Sequence, residues 1–309
     1  MNDYLSEMVI SALRTEQRNP DTIGIASLPT FGILEKINDL DQTVAPAVRE
    51  ALPQVALAVD IITEKMGLGG RLVYMGAGTS GRLGVVDASE TMSTYGIDRV
   101  CCLIAGGRDS VYGAKSAIED ESELAVRDLE ALGLSVNDVV FAIAASGRTP
   151  YCIAGLEYAA KVGAARIAFS CNKGAAMTKY AQVGIEVETG PEVVMGSTRM
   201  KAGTAQKMVT NMVTTAVMIQ LGRTFDNLMI NINVGVKKSS KVVNRAPREF
   251  MEAVGNYDIT YAKQALDKAG GSLEIAVLME LTGVTAEKAA EVLAECNRNF
   301  PKALGLLKR

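Results

Sequence analysis

The chain has 309 residues, 48% of them hydrophobic and 22% charged, and a net charge of −3. This is the composition of an ordinary globular protein, and the scattered lysines and arginines offer no surface for nucleic acid or an anionic membrane. There is no histidine, so proton transfer near neutral pH would fall to carboxylates, lysine, tyrosine or cysteine.

The N-terminus lacks the basic segment and apolar core of a signal peptide, and no apolar run reaches the ~18 residues of a membrane span. Five unclustered cysteines without a C-x-x-C read as buried free thiols in a reducing compartment, with no metal site. A cytoplasmic protein is expected.

Residues 1–68 read as a mostly helical segment; "TVAPAVREALPQVALAVDIITEKMG" carries apolar residues at helical spacing and Gly67 as a stop. "RLVYMGAG" is a strand running into glycines, with a helix from about Ser80. "RVCCLIAGG" is a second strand and residues 109–133 a second helix ending at Gly133. "DVVFAIAASGRTP" is a third strand and loop, followed by a helix stopped by Gly163. "ARIAFSCN" and "VGIEVETG" are the fourth and fifth strands, and residues 197–222 form a long apolar helix. Strands alternating with helices predict an α/β fold with a parallel sheet covered on both faces. From about residue 256 the strand signal ends and short helices remain, a small helical module.

"GAGTSG" matches G-x-G-x-x-G through Gly76, Gly78 and Gly81. A dinucleotide site also needs an acidic residue at the end of the second strand. That strand ends in Ala-Gly-Gly, and Asp98 stands before it. The pattern half-repeats: "YMGAGTSGR" and "IAASGRTP" each place a Ser-Gly-Arg loop after a strand. Gly78, Thr79 and Ser80 in one loop, with Ser146, Gly147 and Thr149 in the other, suit a phosphate monoester held by hydroxyls and helix N-terminal amides. Either serine alone also reads as a plain helix N-cap, a reading that the matching pair of loops at strand ends disfavours. A third polar cluster, "GPEVVMGSTRMKAGTAQK", contributes Glu192, Ser197 and Lys201 as a further wall or as a solvated loop.

Two carboxylates are candidates for proton transfer. Glu90 shares a helical face with Leu83 and Val86, so a partly buried acid with a raised pKa is expected there. Asp87 is its neighbour or a surface charge. Glu119 lies in the acidic run "IEDESE", behind an inward-facing Ile118.

Together, "YMGAGTSGRLGVVDASE", "IAGG", "IEDE", "AIAASGRTPYCIAGLEYA", "SCN" and "GPEVVMGSTRMKAGTAQKMVTNM" resemble the N-acetylmuramic acid 6-phosphate etherases. These are lyases built on the sugar isomerase (SIS) phosphosugar domain; "TEQRNPDT" and "NLMINI" are similar too. The resemblance covers about residues 14–235. It implies a three-layer SIS domain over residues 69–250, N-terminal helices before it, and a ubiquitin-associated-like helical tail over 251–309. It implies a phosphosugar substrate, no cofactor or metal, and a homodimer. By motif position it makes Glu90 the proton-donating acid and Glu119 the second catalytic carboxylate, and assigns Thr79, Ser80, Ser146, Gly147 and Thr149 to the phosphate. Two departures stand out: Thr91-Met92-Ser93 replace the usual Cys-Pro-Pro, and "SAIED" replaces "EGAED". A non-catalytic phosphosugar sensor resembling glucokinase regulatory protein, and an aldose–ketose isomerase on the same fold, are the alternatives.

Overall fold

The computed structural model describes residues 13–113, 118–234 and 240–308, with side chains from 245 onward in the last segment. The chain divides into two compact units. One comprises the residues up to Ser89 together with Arg99–Thr214; the other comprises Glu90–Asp98 and the residues from Thr215 on.

Within the mostly helical segment expected over residues 1–68, the first described residues form three 3-10 turns, Arg14–Glu16, Pro20–Thr22 and Ile25–Ser27. Asn19 caps the second turn and Pro20 fixes its start, which favours a tight turn over a continuing helix. Helices α1 (Thr30–Asp41), α2 (Val44–Glu50) and α3 (Leu52–Gly67) follow. Residues 1–12 of the predicted helical segment lie outside the described residues.

The sheet consists of β1 (Leu72–Gly76), β2 (Val100–Ile104), β3 (Val139–Ile143), β4 (Ala165–Ser170) and β5 (Val183–Glu186), all parallel, in the order β2-β1-β3-β4-β5. Its central strands are buried on both faces, which is why they read as unbroken apolar runs. On one face Val73, Met75, Val140 and Ala142 pack with Leu129 of α6 (Ser122–Leu132) and Leu156 of α7 (Pro150–Val162). On the other, Tyr74 meets Phe141 edge to face at 5.4 Å and hydrogen-bonds to Asp87 on α4 (Gly78–Tyr95) and to the Thr210 carbonyl on α8 (Lys201–Gln220). This is the predicted three-layer α/β arrangement.

The predicted helix over 109–133 is broken. A single turn, α5 (Asp109–Tyr112), is followed by a 3-10 turn at Ile118–Asp120 and then α6; residues 114–117 lie outside the described residues. Three consecutive acids, Glu119 to Glu121, precede the N-terminus of α6, where the helix dipole favours negative charge.

The second unit is helical, as predicted for the tail. It contains a short antiparallel hairpin, β6 (Thr224–Phe225) and β7 (Leu228–Met229), whose two-residue strands are too short to show periodicity. Helices α9 (Ser240–Val254), α10 (Ile259–Lys268), α11 (Leu273–Thr282), α12 (Ala286–Glu295) and α13 (Phe300–Leu307) surround Phe250, Leu266, Val277, Leu293 and Phe300. Asp258, Ser272, Thr285 and Asn299 cap four of these helices through their side chains. Among the described residues, no helix is long and apolar enough to cross a membrane.

Candidate active site

The strand order reverses between β1 and β3, and in open parallel sheets ligands bind at that switch point, beyond the carboxyl ends of the strands. The register makes the ends level: Gly76 of β1 lies opposite Ile143 of β3. The two Ser-Gly-Arg loops therefore leave the sheet side by side.

The glycines of the first loop serve two purposes. A Cβ on Gly81 would lie 2.6 Å from Ile104 Cγ1 and 2.7 Å from the Gly76 carbonyl, so Gly81 lets α4 press on the sheet. Gly78, at φ +51°, instead has open space where its Cβ would point. Thr79 is half-buried, and a Cβ on Gly203 of α8 would lie 3.6 Å from its methyl. Ser80 is buried in the first turn of α4, and its Oγ accepts a hydrogen bond from Gln206 Nε2 at 2.9 Å.

In the second loop, Ser146 Oγ accepts from the Arg148 amide at 3.3 Å. Gly147 has φ +70° and is packed against Ala175 and Ser170. Thr149 precedes α7, but its side chain makes no capping bond, and Pro150 supplies no N–H. Neither serine is a helix N-cap: Ser80 already lies inside α4, and Ser146 stands before Thr149.

The N-terminal strap fixes the neighbouring loops. Asn172 Nδ2 donates to the Ala145 carbonyl and to Thr15 Oγ1, at 3.0 and 2.9 Å, and its Oδ1 accepts from the Thr15 amide. Asn19 donates to the Pro191 carbonyl and Thr22 to that of Val193. Sequence reasoning assigned no task to Thr15, Asn19, Thr22 or Asn172.

In the third cluster, Ser197 is half-buried and Arg199 exposed. Glu192 is fully buried, and its two oxygens accept from the amides of Lys201 and Ala202, both at 2.9 Å. It caps α8. Burial pushes its pKa up, and those amides and the Lys201 charge oppose the rise. Lys201 is also buried, with Nζ donating to the Thr189 carbonyl at 2.7 Å, and burial lowers its pKa.

Glu119 is exposed on its 3-10 turn, which Ile118 anchors by packing into the core. Its charge reaches the buried Cys152 thiol, whose pKa burial pushes up to about 12. That thiol bonds the carbonyls of Met75 and Ile143, at the ends of β1 and β3.

Glu90 corrects an expectation. Val86 is 57% exposed and Glu90 is exposed too, so this is not the buried face of α4. Glu90 belongs to the second unit, where Ser93 Oγ donates to its carbonyl and carboxylate. The buried carboxylate is Asp87, 5% exposed. It accepts from Tyr74 Oη, Asn211 Nδ2 and Thr214 Oγ1 at 3.0, 2.5 and 3.2 Å. Burial raises its pKa, opposed by these three donors.

The fold and its paired serine loops define a protein of the SIS phosphosugar class. Residues 54–160 match the glucokinase regulatory protein N-terminal SIS domain, and residues 116–216 match the SIS domain. The chain belongs to the N-acetylmuramic acid 6-phosphate etherase family. It is 46% identical to the etherase of Geobacillus sp. (strain WCH70) over 96% of this chain and 100% of that one. It is 48% identical to etherase 1 of Vibrio cholerae over 93% and 95% of the two chains. A phosphoheptose isomerase from Francisella tularensis superposes with a TM-score of 0.48 at 17% identity, covering 60% of this chain and 98% of the other.

Proposed function

We propose that the chain cleaves the lactyl ether of N-acetylmuramic acid 6-phosphate, with water, to N-acetylglucosamine 6-phosphate and D-lactate. The observation that carries this reading is the level pair of strand ends, Gly76 opposite Ile143, from which the two hydroxyl-bearing loops emerge. Gly78, Thr79, Ser80, Ser146, Gly147 and Thr149 hold the phosphate through hydroxyls and backbone amides. Ser197 faces the sugar, and Glu192 and Lys201 support that wall from behind. No cofactor or metal takes part.

In the ring-opened sugar the C1 aldehyde acidifies the C2 proton. Glu119, as carboxylate, removes it. The electron pair forms the C2–C3 double bond and expels the lactate oxygen from C3, which Glu90, as carboxylic acid, protonates. Water then adds across the enal. Two carboxylates in opposite protonation states suffice, in keeping with a chain without histidine. Replacing Glu90 with Gln is expected to abolish lactate release, and Glu119→Gln to abolish deuterium exchange at C2. Normal turnover in either variant refutes the assignment.

The residues up to 68 and the ubiquitin-associated-like helical tail from 251 flank this phosphosugar domain in sequence. The enzyme works in the cytoplasm, recycling cell-wall sugars, as a homodimer. In support of the dimer, α1 buries none of its residues and exposes Phe31 and Leu34 by 75% and 58%. By contrast Val213, Val217 and Met218 of α8 are wholly buried within the chain. A monomeric mass by light scattering at micromolar concentration refutes the dimer. The match to glucokinase regulatory protein supports a second reading, a sensor, which tight phosphosugar binding without lactate release would select.

A further inference from the structure

Gln206 has no role in the chemistry above, yet it is fully buried on α8 and aimed at the proposed phosphate loop. Its Nε2 donates to Ser80 Oγ at 2.9 Å, while its Oε1 is buried with no hydrogen-bond partner among the described residues. A serine hydroxyl carries one proton to donate and two lone pairs to accept. Gln206 occupies a lone pair, and the described residues offer the Ser80 proton no acceptor. The opposite orientation of the amide would give Oε1 that proton and turn the hydroxyl inward.

We infer that Gln206 is a positioning residue that fixes the Ser80 hydroxyl as a donor toward the phosphate. This rests on the phosphate loop proposed above and adds to it. An anion at the loop accepts a hydrogen bond from the Ser80 hydroxyl, so binding and this amide orientation favour one another. Two turns further along α4, Asp87 is tied to Asn211 and Thr214 of α8, which keeps the two helices in register and Gln206 opposite Ser80. A buried amide with an orphaned oxygen is a poor packing element, but it is suited to presenting N–H to a hydroxyl.

The test measures binding of inorganic phosphate by calorimetry, and KM and kcat for the phosphosugar, in three variants of the full chain. Gln206→Glu keeps the shape but has no N–H; its carboxylate accepts the Ser80 proton and repels the anion. Phosphate affinity is expected to fall and KM to rise about 10- to 100-fold, the value of a charge-assisted hydrogen bond, with kcat within a fewfold. Gln206→Met is expected to weaken phosphate by about tenfold at near-native melting temperature. In a Ser80→Ala background, Gln206→Met should change nothing further, because the hydroxyl it orients is gone. Native phosphate affinity in Gln206→Glu overturns the inference alone, and so does a full second loss in the double variant. A lower kcat with unchanged KM and a lowered melting temperature marks a merely structural residue and overturns it as well. If the unaltered chain binds no phosphate, the inference falls together with the reading beneath it.

Discussion

Alanine at Gly147 gives the sharpest test of how the phosphate loop is built. Gly147 has φ +70°, and a Cβ there would lie 2.5 Å from Ala175 Cβ and 2.9 Å from Ser170 Cβ, on rigid neighbours. Gly174 has nearly the same backbone, φ +64°, with no atom within 4 Å of its would-be Cβ. The left-handed conformation costs an L-residue about 1–2 kcal/mol. Overpacking adds about 1–3 kcal/mol. Gly174→Ala is therefore expected to lose only the backbone contribution, and Gly147→Ala both, about 2–5 kcal/mol in all. Urea unfolding of the two variants isolates the contact contribution in their difference. Relief of the clash also moves the peptide whose carbonyl accepts from Met177, so Gly147→Ala is expected to weaken phosphate binding as well. Equal stability losses in the two variants would refute the close-approach reading.

Other expectations follow from buried charges. Arg71 donates to both Asp138 oxygens, and Arg71→Ala is expected to cost about 3–5 kcal/mol by orphaning that carboxylate. Burial alone would raise the Asp138 pKa, but Arg71 and the Ser135 and Arg71 amides hold it below the ordinary value. The ionised acid is thus stabilised by folding. Its contribution is present above the ordinary pKa and lost as pH falls through the lower, folded one, an acid-limb slope that denaturant titrations of Arg71→Ala should show weakened, since only the Ser135 and residue-71 amides remain. Glu274 in the tail has the opposite sign. Burial raises its pKa to about 7, against the pull of Arg298 and Arg223. Its contribution is full below the unfolded value of 4.5 and lost as pH rises through about 7, worth about 3 kcal/mol. Glu274→Gln is expected to flatten urea-unfolding stability between pH 5 and 8; an unchanged slope refutes this. Glu192→Ala removes the side-chain cap of α8 and is expected to cost at least about 2 kcal/mol, read by thermal melts.

The alternation of strands and helices was legible because a parallel sheet buried on both faces writes its strands as apolar runs bounded by glycines. The two serine loops were legible because the motif repeats. The inner face of α4 was misread: Leu83 and Val86 marked an apolar stripe, but Val86 faces out. The true inner stripe is Gly81, Gly84, Asp87 and Thr91, all buried at spacings of three and four. Its signal was the pair of glycines. A Cβ on Gly84 would lie 2.9 Å from Cys102 Sγ and 3.0 Å from Tyr74 Cβ, and such close approach draws the next residue of the stripe, Asp87, into the interior. Glu192 and Lys201 read either as a wall of the sugar site or as solvated charges, and neither reading names the cap, because nothing local in sequence reveals that an acid nine residues before a helix folds back to cap it. The asparagine and threonine ties from residues 15–22 join positions more than 150 apart and leave no periodic trace.

The account is tested most directly by supplying N-acetylmuramic acid 6-phosphate to the full chain and assaying D-lactate. The expected result is D-lactate and N-acetylglucosamine 6-phosphate in equal amounts, with one solvent oxygen retained at C3 of the sugar. Saturable binding of the phosphosugar with no lactate released would contradict it.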